Sequence, residues 1–185
     1  MKYWHDHEFL EDGRTIELIS TGIVCEDGRE YYRVNQDAPW DRIQDNEWLM
    51  DNVVPSLDAV SVRNGVIVPN LYHKDMRTRL EMRREIVTFF RAGNAPVELW
   101  AWYGAYDHVV LAQLFGRLTD LPYQLIPMWT NDLRQEVERI GCYNELPQQE
   151  QGEHNALEDA RFLKLRHEFV QNWDRNRRDR EESRP

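Results

Sequence analysis

The chain has 185 residues, of which 33 are acidic and 23 basic, giving a net charge of −10 and a pI of about 5.1. That length predicts one compact α/β or α+β domain with a core of its own, needing no disulfide or zinc staples. The acidic balance argues against a protein that coats long stretches of duplex, but not against an enzyme that grips one strand end through bound cations.

Lys2 to Glu8 reads as a short strand, followed by a turn at Asp12-Gly13. Thr15 to Cys25, rich in β-branched residues, reads as a long strand, and Asp27-Gly28 predicts a hairpin into a returning strand, Arg29 to Val34. Trp40 to Val54 then has a helical pattern closed by Pro55, and Asn64-Gly65 marks a turn in an irregular connection. Lys74 to Arg91 reads as a helix through Met76, Leu80, Val87 and Phe90. Val97 to Trp102 reads as a strand, Ala105 to Phe115 as a helix, and Gln124 to Ile126 as a short strand. Asn131 to Ile140 reads as a helix stopped by Gly141, and a last helix spans about Asn155 to Trp173. Residues 174–185 hold five Arg and four acids, a charged tail expected to be disordered, which leaves 1–173 as the folded domain. Three antiparallel strands followed by alternating helices and strands predict a layered α/β fold with a mixed sheet.

Cys25 and Cys142 lie far apart without zinc or redox spacing and read as free thiols, suited to the cytoplasm. The charged N-terminus lacks the apolar stretch of a signal peptide. The longest run without a charged side chain is 11 residues, Leu121 to Asn131, short of the roughly 20 apolar residues of a membrane span. A soluble, cytoplasmic protein is the expectation.

The informative residues are acidic. Asp6 and Glu8, two apart in the first strand, project from one face. Asp107 falls where a strand gives way to a helix, and Asp159 lies on the last helix. His154, five residues before Asp159, is off that helix face and belongs at the helix entrance. Four gathered carboxylates repel one another unless cations occupy the cluster or some stay protonated. Oxygen-only ligands suit Mg²⁺ or Mn²⁺, and two such ions are the usual machinery for displacement at a phosphodiester. A neighbouring His is the natural group to take a proton from water. Taken singly, each residue also fits a solvated strand edge, a helix start or a cap.

Together, Asp6-His7-Glu8, then Tyr106-Asp107 with Leu111, then His154-Asn155-Ala156-Leu157-Glu158-Asp159 resemble the three motifs of the DEDDh 3′→5′ exonucleases. The resemblance is closer still to the polyadenylate-specific exoribonuclease (RNase AS) subfamily. It is carried by Asp6-His7-Glu8-Phe9, Glu11-Asp12-Gly13, Thr15 to Ser20 and Trp100 to His108. Phe9, Leu10 and Glu11 depart from the hydroxyl residues and Gly of the broader family, a change that RNase AS-like members share.

The resemblance implies a ribonuclease H-like fold, with a mixed five-stranded sheet whose first three strands are antiparallel. It implies two divalent ions, Mg²⁺ or Mn²⁺, held by Asp6, Glu8 and Asp159, with Asp107 as a direct or water-mediated ligand, and His154 as general base. It also implies release of nucleoside 5′-monophosphates from a single-stranded RNA 3′ end, poly(A) favoured, and a homodimer. Action on short RNA or single-stranded DNA, and a nuclease-like domain that binds without cutting, are the rival expectations.

Strand alternation turns His7 away from the acids, into a structural role. Phe9 and Trp102 are candidate stacking partners for bases, although alternation is expected to bury one of Trp100 and Trp102. Glu17 is a candidate acceptor for an exocyclic amino group. Lys74, Arg77, Arg79, Arg83, Arg84 and Arg91 form a basic island, read either as a phosphate guide or, more commonly, as an ion-paired helix face.

Overall fold

A computed structural model describes residues 1–183. Its sheet is built around β1 (Lys2–Glu11), paired antiparallel with β2 (Ile16–Cys25), which pairs antiparallel with β3 (Glu30–Asn35). Both turns form as their residues predict. Asp12 accepts hydrogen bonds from the Arg14 and Thr15 amides, and Gly28 takes the left-handed backbone that its turn requires.

Two short helices follow, α1 (Trp40–Gln44) and α2 (Glu47–Asn52), in place of one continuous helix. The break falls where the Asn46 side chain accepts the Leu49 amide and restarts the helix as its N-cap. The connection around Asn64-Gly65 is a hairpin of β4 (Val60–Arg63) and β5 (Val66–Pro69), with both turn residues at positive φ.

β6 (Met76–Arg77) pairs parallel with β3, and α3 (Arg79–Arg91) begins only after it. The expected start at Lys74 is therefore five residues early, because Thr78 and Glu81 form a capping box that fixes the first turn. Leu80, expected to face inward, is 55% exposed, while Met82, Ile86 and Phe90 form the buried stripe.

β7 (Glu98–Ala101) runs parallel to β1 and leads into α4 (Gly104–Gln113). No strand forms at Gln124–Ile126, where the Leu125 and Ile126 amides instead turn back to the Pro122 carbonyl. The neighbour of β7 is β8 (Asn131–Asp132), and Asp132 then caps α5 (Leu133–Ile140), which ends at Gly141 in the left-handed conformation. The sheet order is β6-β3-β2-β1-β7-β8, six strands rather than five because β6 adds a two-residue edge.

α6 (Ala156–Glu182) crosses the sheet over β1 and β2. It continues past Trp173 through residues expected to be disordered. Asp174 is buried there and paired with Arg177 and Arg178, an i,i+3 and i,i+4 arrangement that supports the helix. Residues 184–185 of that tail lie outside the described ones.

Alternation along β1 divides the molecule. Tyr3 joins the layer of α3 and α4, with Ile23, Phe90, Leu99 and Leu111. Trp4 joins the layer of α5 and α6, with Ala101, Val137, Leu163 and Val170. Among the described residues, no helix is long and apolar enough to cross a membrane. Both cysteines are buried free thiols.

Candidate active site

Asp6 and Glu8 project from β1 toward α6, whose first turn carries Asp159. Oxygen atoms of these three carboxylates lie within 4.8 Å of one another. β2 makes the approach possible through Gly22, which pairs with Asp6 across the sheet. A Cβ at Gly22 would overlap the Ala156 carbonyl, so glycine lets the start of α6 rest directly on the strand.

Residues before α6 hold its entrance in place. Asn155 Oδ1 accepts the Leu157 and Glu158 amides, at 3.1 and 3.3 Å. Its side-chain amide donates to the Ser56 carbonyl, and the Ser56 hydroxyl donates to the His154 carbonyl. His154 has a positive φ of 64°, an unfavourable conformation for a non-glycine residue, held by these contacts on both sides. Its amide donates to Asp159 Oδ2 at 2.9 Å, and its ring packs edge-on against Trp48 at 5.0 Å. Gln149 donates to the other oxygen, Asp159 Oδ1, at 2.7 Å.

Asp107 sits in the first turn of α4, and its Oδ1 accepts the His7 amide at 3.1 Å. That bond fixes the fourth carboxylate to the backbone of the strand that bears the first two. Gly104 permits the close packing, since a Cβ there would come within 3.1 Å of Thr130 Cγ2. His7 itself faces the opposite layer, as alternation predicts. Its ring bonds to His5 at 3.0 Å and Thr21 at 3.1 Å, and His5 continues to Thr130, which also meets His108. Burial depresses His7 to about 3 and lowers His5 and His108, so this chain of imidazoles is neutral.

The carboxyls shift the other way. Burial, then Asp159, lifts Glu8 to about 8. Burial also raises Asp6, with Asp107, Glu8 and Asp159 adding repulsion. Asp107 and Asp159 are raised by burial too, against the stabilising bonds from the His7 amide and from Gln149. Such a set favours its protonated form more than free carboxyls do and is relieved by a bound cation, and its all-oxygen donors suit Mg²⁺ or Mn²⁺.

Asp6 borders two clefts. One contains Asp107, Phe9, Trp102, Tyr103 and Tyr106, and the other contains His154, Asp159, Gln149, Trp102 and Arg166. Phe9 lies parallel to the exposed Tyr106, with ring centroids 5.9 Å apart and planes 3° apart. Trp100, in β7, and Trp102, in the bend just after it, pack against the same layer, and both are half-buried. The alternating buried residues are Leu99 and Ala101, so the expectation that one Trp would be buried fails on parity.

Glu17 is not brought to either cleft. It faces Arg79 at the start of α3, at 3.9 Å. The basic island is largely engaged as well, with Arg77 sharing Glu85 with Arg33 and Arg83 lying over Phe115. Gln149, Ser56, Gly22 and Arg166 belong to the site's surroundings without any motif to announce them. Only the i,i+7 spacing of Asp159 and Arg166 on one helix could have pointed to the last of these.

A layered α/β fold that gathers buried and half-buried acids at the junction of β1, α4 and α6 offers a place where a metal ion could be held. Comparison with known proteins gives the family. Residues 1–170 match the model of the 3′-5′ exoribonuclease Rv2179c-like domain. Two curated relatives from Mycobacterium tuberculosis are 3′-5′ exoribonuclease Rv2179c of strain H37Rv and 3′-5′ exoribonuclease MT2234.1 of strain CDC 1551. Each is 41% identical over 175 residues, covering 94% of this chain and 95% of the relative. The chain belongs to the 3′-5′ exoribonuclease Rv2179c-like family.

Proposed function

We propose that this chain is a DEDDh-type, ribonuclease H-like exoribonuclease of the RNase AS kind. It uses two divalent metal ions, Mg²⁺ or Mn²⁺, to remove nucleoside 5′-monophosphates from the 3′ end of single-stranded RNA, with poly(A) favoured. The observation that carries the reading is the Asp6–Glu8–Asp159 cluster, with Asp107 fastened beside it by the His7 amide.

Asp6, Glu8 and Asp159 would hold the ions, and Asp107 would complete the set. Divalent ions held there would supply acidification of a water and stabilisation of a leaving oxygen. His154, fixed by its own backbone bonds at the cleft wall, takes the proton from that water. Gln149 and the His154 amide keep Asp159 oriented. The Phe9–Tyr106 pair and Trp102 offer stacking faces to the terminal bases, a contact worth about 1–3 kcal/mol per base. Glu17 stands back from these faces. The adenylate preference therefore rests on the family resemblance, and it extends to Glu17 only if the Arg79 contact opens. A homodimer and a cytoplasmic location complete the proposal.

Isothermal titration of Mn²⁺ into the wild type and Asp6→Asn, followed by cleavage of oligo(A), oligo(C), oligo(U) and oligo(dA), tests the reading. Two-site binding lost in the variant and fastest cleavage of oligo(A) are expected. Equal cleavage of oligo(dA) would remove the RNA assignment, and tight RNA binding without cleavage would replace the enzyme with a binding module. Light scattering checks the dimer.

A further inference from the structure

We infer that Arg166 is a phosphate-binding residue of the active-site cleft, its guanidinium taking a non-bridging phosphate oxygen of the RNA chain beside Asp6 and Asp159. The inference rests on the exoribonuclease reading and adds a recognition element to it.

Arg166 lies seven residues after Asp159 on α6, two turns along the same helix face. Both line the cleft that also holds Asp6 and His154. The guanidinium carbon lies 4.9 Å from the ring centroid of Trp102 and 4.5 Å from that of Phe162, so two aromatic surfaces hold the planar group in place.

Its polar edge is almost unused. Nε donates to the Pro147 carbonyl at 3.4 Å, and among the described residues no carboxylate comes within 4.0 Å of the guanidinium. Arg161, five residues earlier and exposed, pairs with both Glu30 and Glu158. Arg166 is half-buried without a carboxylate paired to it, and burial lowers its pKa, partly offset by Tyr143, Asp159 and Glu153 nearby. A cation that has lost water without a directly paired anion binds one readily when it is offered, and a planar fork suits phosphate oxygens.

The cleft needs such a group. Arg166 is the only Lys or Arg among its described lining residues, against Asp6, Glu153 and Asp159. Divalent ions at the carboxylates would serve the scissile phosphate, which leaves Arg166 to hold the chain at a second point.

The test is steady-state cleavage of 5′-labelled oligo(A) with Mn²⁺ across a series of KCl concentrations, comparing the wild type with Arg166→Gln. A charge-assisted contact predicts a KM raised by about 10–100-fold with kcat nearly unchanged. One phosphate contact also makes the slope of log(kcat/KM) against log[KCl] shallower by about 0.7. Should Arg166→Gln melt lower than the wild type, Arg166→Met keeps the stem over the two rings and is expected to show the same two changes. Wild-type KM and slope in the folded variant would overturn the phosphate role. A fall in kcat at unchanged KM and slope would also overturn it, making Arg166 a positioning residue for Asp159. A wild type that cleaves nothing would instead overturn the exoribonuclease reading itself.

Discussion

Removing divalent cations should make stability fall as pH rises, and Glu8 sets the scale. Its carboxyl is lifted from the ordinary 4.5 to about 8 by burial and by Asp159. A group raised in the folded state contributes its full stability below the unfolded value and loses it as pH climbs through the folded one. The metal-free protein should therefore weaken between about pH 4.5 and about pH 8. For Glu8 alone the loss reaches about 3 kcal/mol at pH 7. In a protein of this size that corresponds to a fall in Tm of about 6–12 °C. Asp6, Asp107 and Asp159, all raised, push in the same direction.

Glu8→Gln keeps the shape and removes the charge. In EDTA at pH 8 it should melt above the wild type, and added Mn²⁺ should raise the wild type far more than the variant. Thermal unfolding with EDTA or Mn²⁺, from about pH 5 to about pH 9, measures all of this. A flat wild-type profile in EDTA, or a variant melting below the wild type there, would refute the reasoning.

Three other outcomes are expected. Asp6→Asn should abolish turnover yet leave a cooperatively folded protein, checked by cleavage assay and circular dichroism together. His154→Ala should slow single-turnover cleavage by at least about 100-fold with little change in RNA affinity, and a loss confined to affinity would exclude it as the base. Gly22→Ala should destabilise by about 1–3 kcal/mol and weaken Mn²⁺ binding, because the start of α6 must lift off β2 and carry Asp159 with it.

Most of what positions the acids was legible in the chain. Asp12-Gly13 and Asp27-Gly28 set the hairpins, and β-branched Thr15 to Cys25 filled the strand between them. Alternation then placed Asp6 and Glu8 on one face and His7 on the other. Apart from the strand expected at Gln124–Ile126, the elements misread were of two kinds. Some carried a local signal that a longer apolar pattern obscured, such as the Asn46 cap, the Thr78–Glu81 capping box and the Asn64-Gly65 hairpin. Others, β6 and β8, are two residues long and exist only because β3 and β7 offer an edge, so no window of sequence contains their cause.

The site divides in the same way. Its proposed acids and His154 were singled out by the order and spacing of three motifs, and their roles by the family resemblance. Gly22, Gln149 and Arg166 matter because α6 lies on β2 and because the chain before it folds over Asp159. Glu17 was a reasonable acceptor on an exposed strand, but β2 ends it against Arg79. The helical run beyond Trp173 was obscured by composition, since the charges that resemble disorder pair along one helix through Asp174, Arg177 and Arg178.

The most direct measurement follows 5′-labelled single-stranded oligo(A) with the purified protein in Mn²⁺ and in EDTA, with mononucleotide products identified alongside. A ladder that shortens one nucleotide at a time from the 3′ end, releases 5′-AMP and disappears in EDTA is the result predicted. Internal fragments, shortening that persists in EDTA, or 3′-phosphate products would contradict a two-metal exonuclease built on Asp6, Glu8, Asp107 and Asp159.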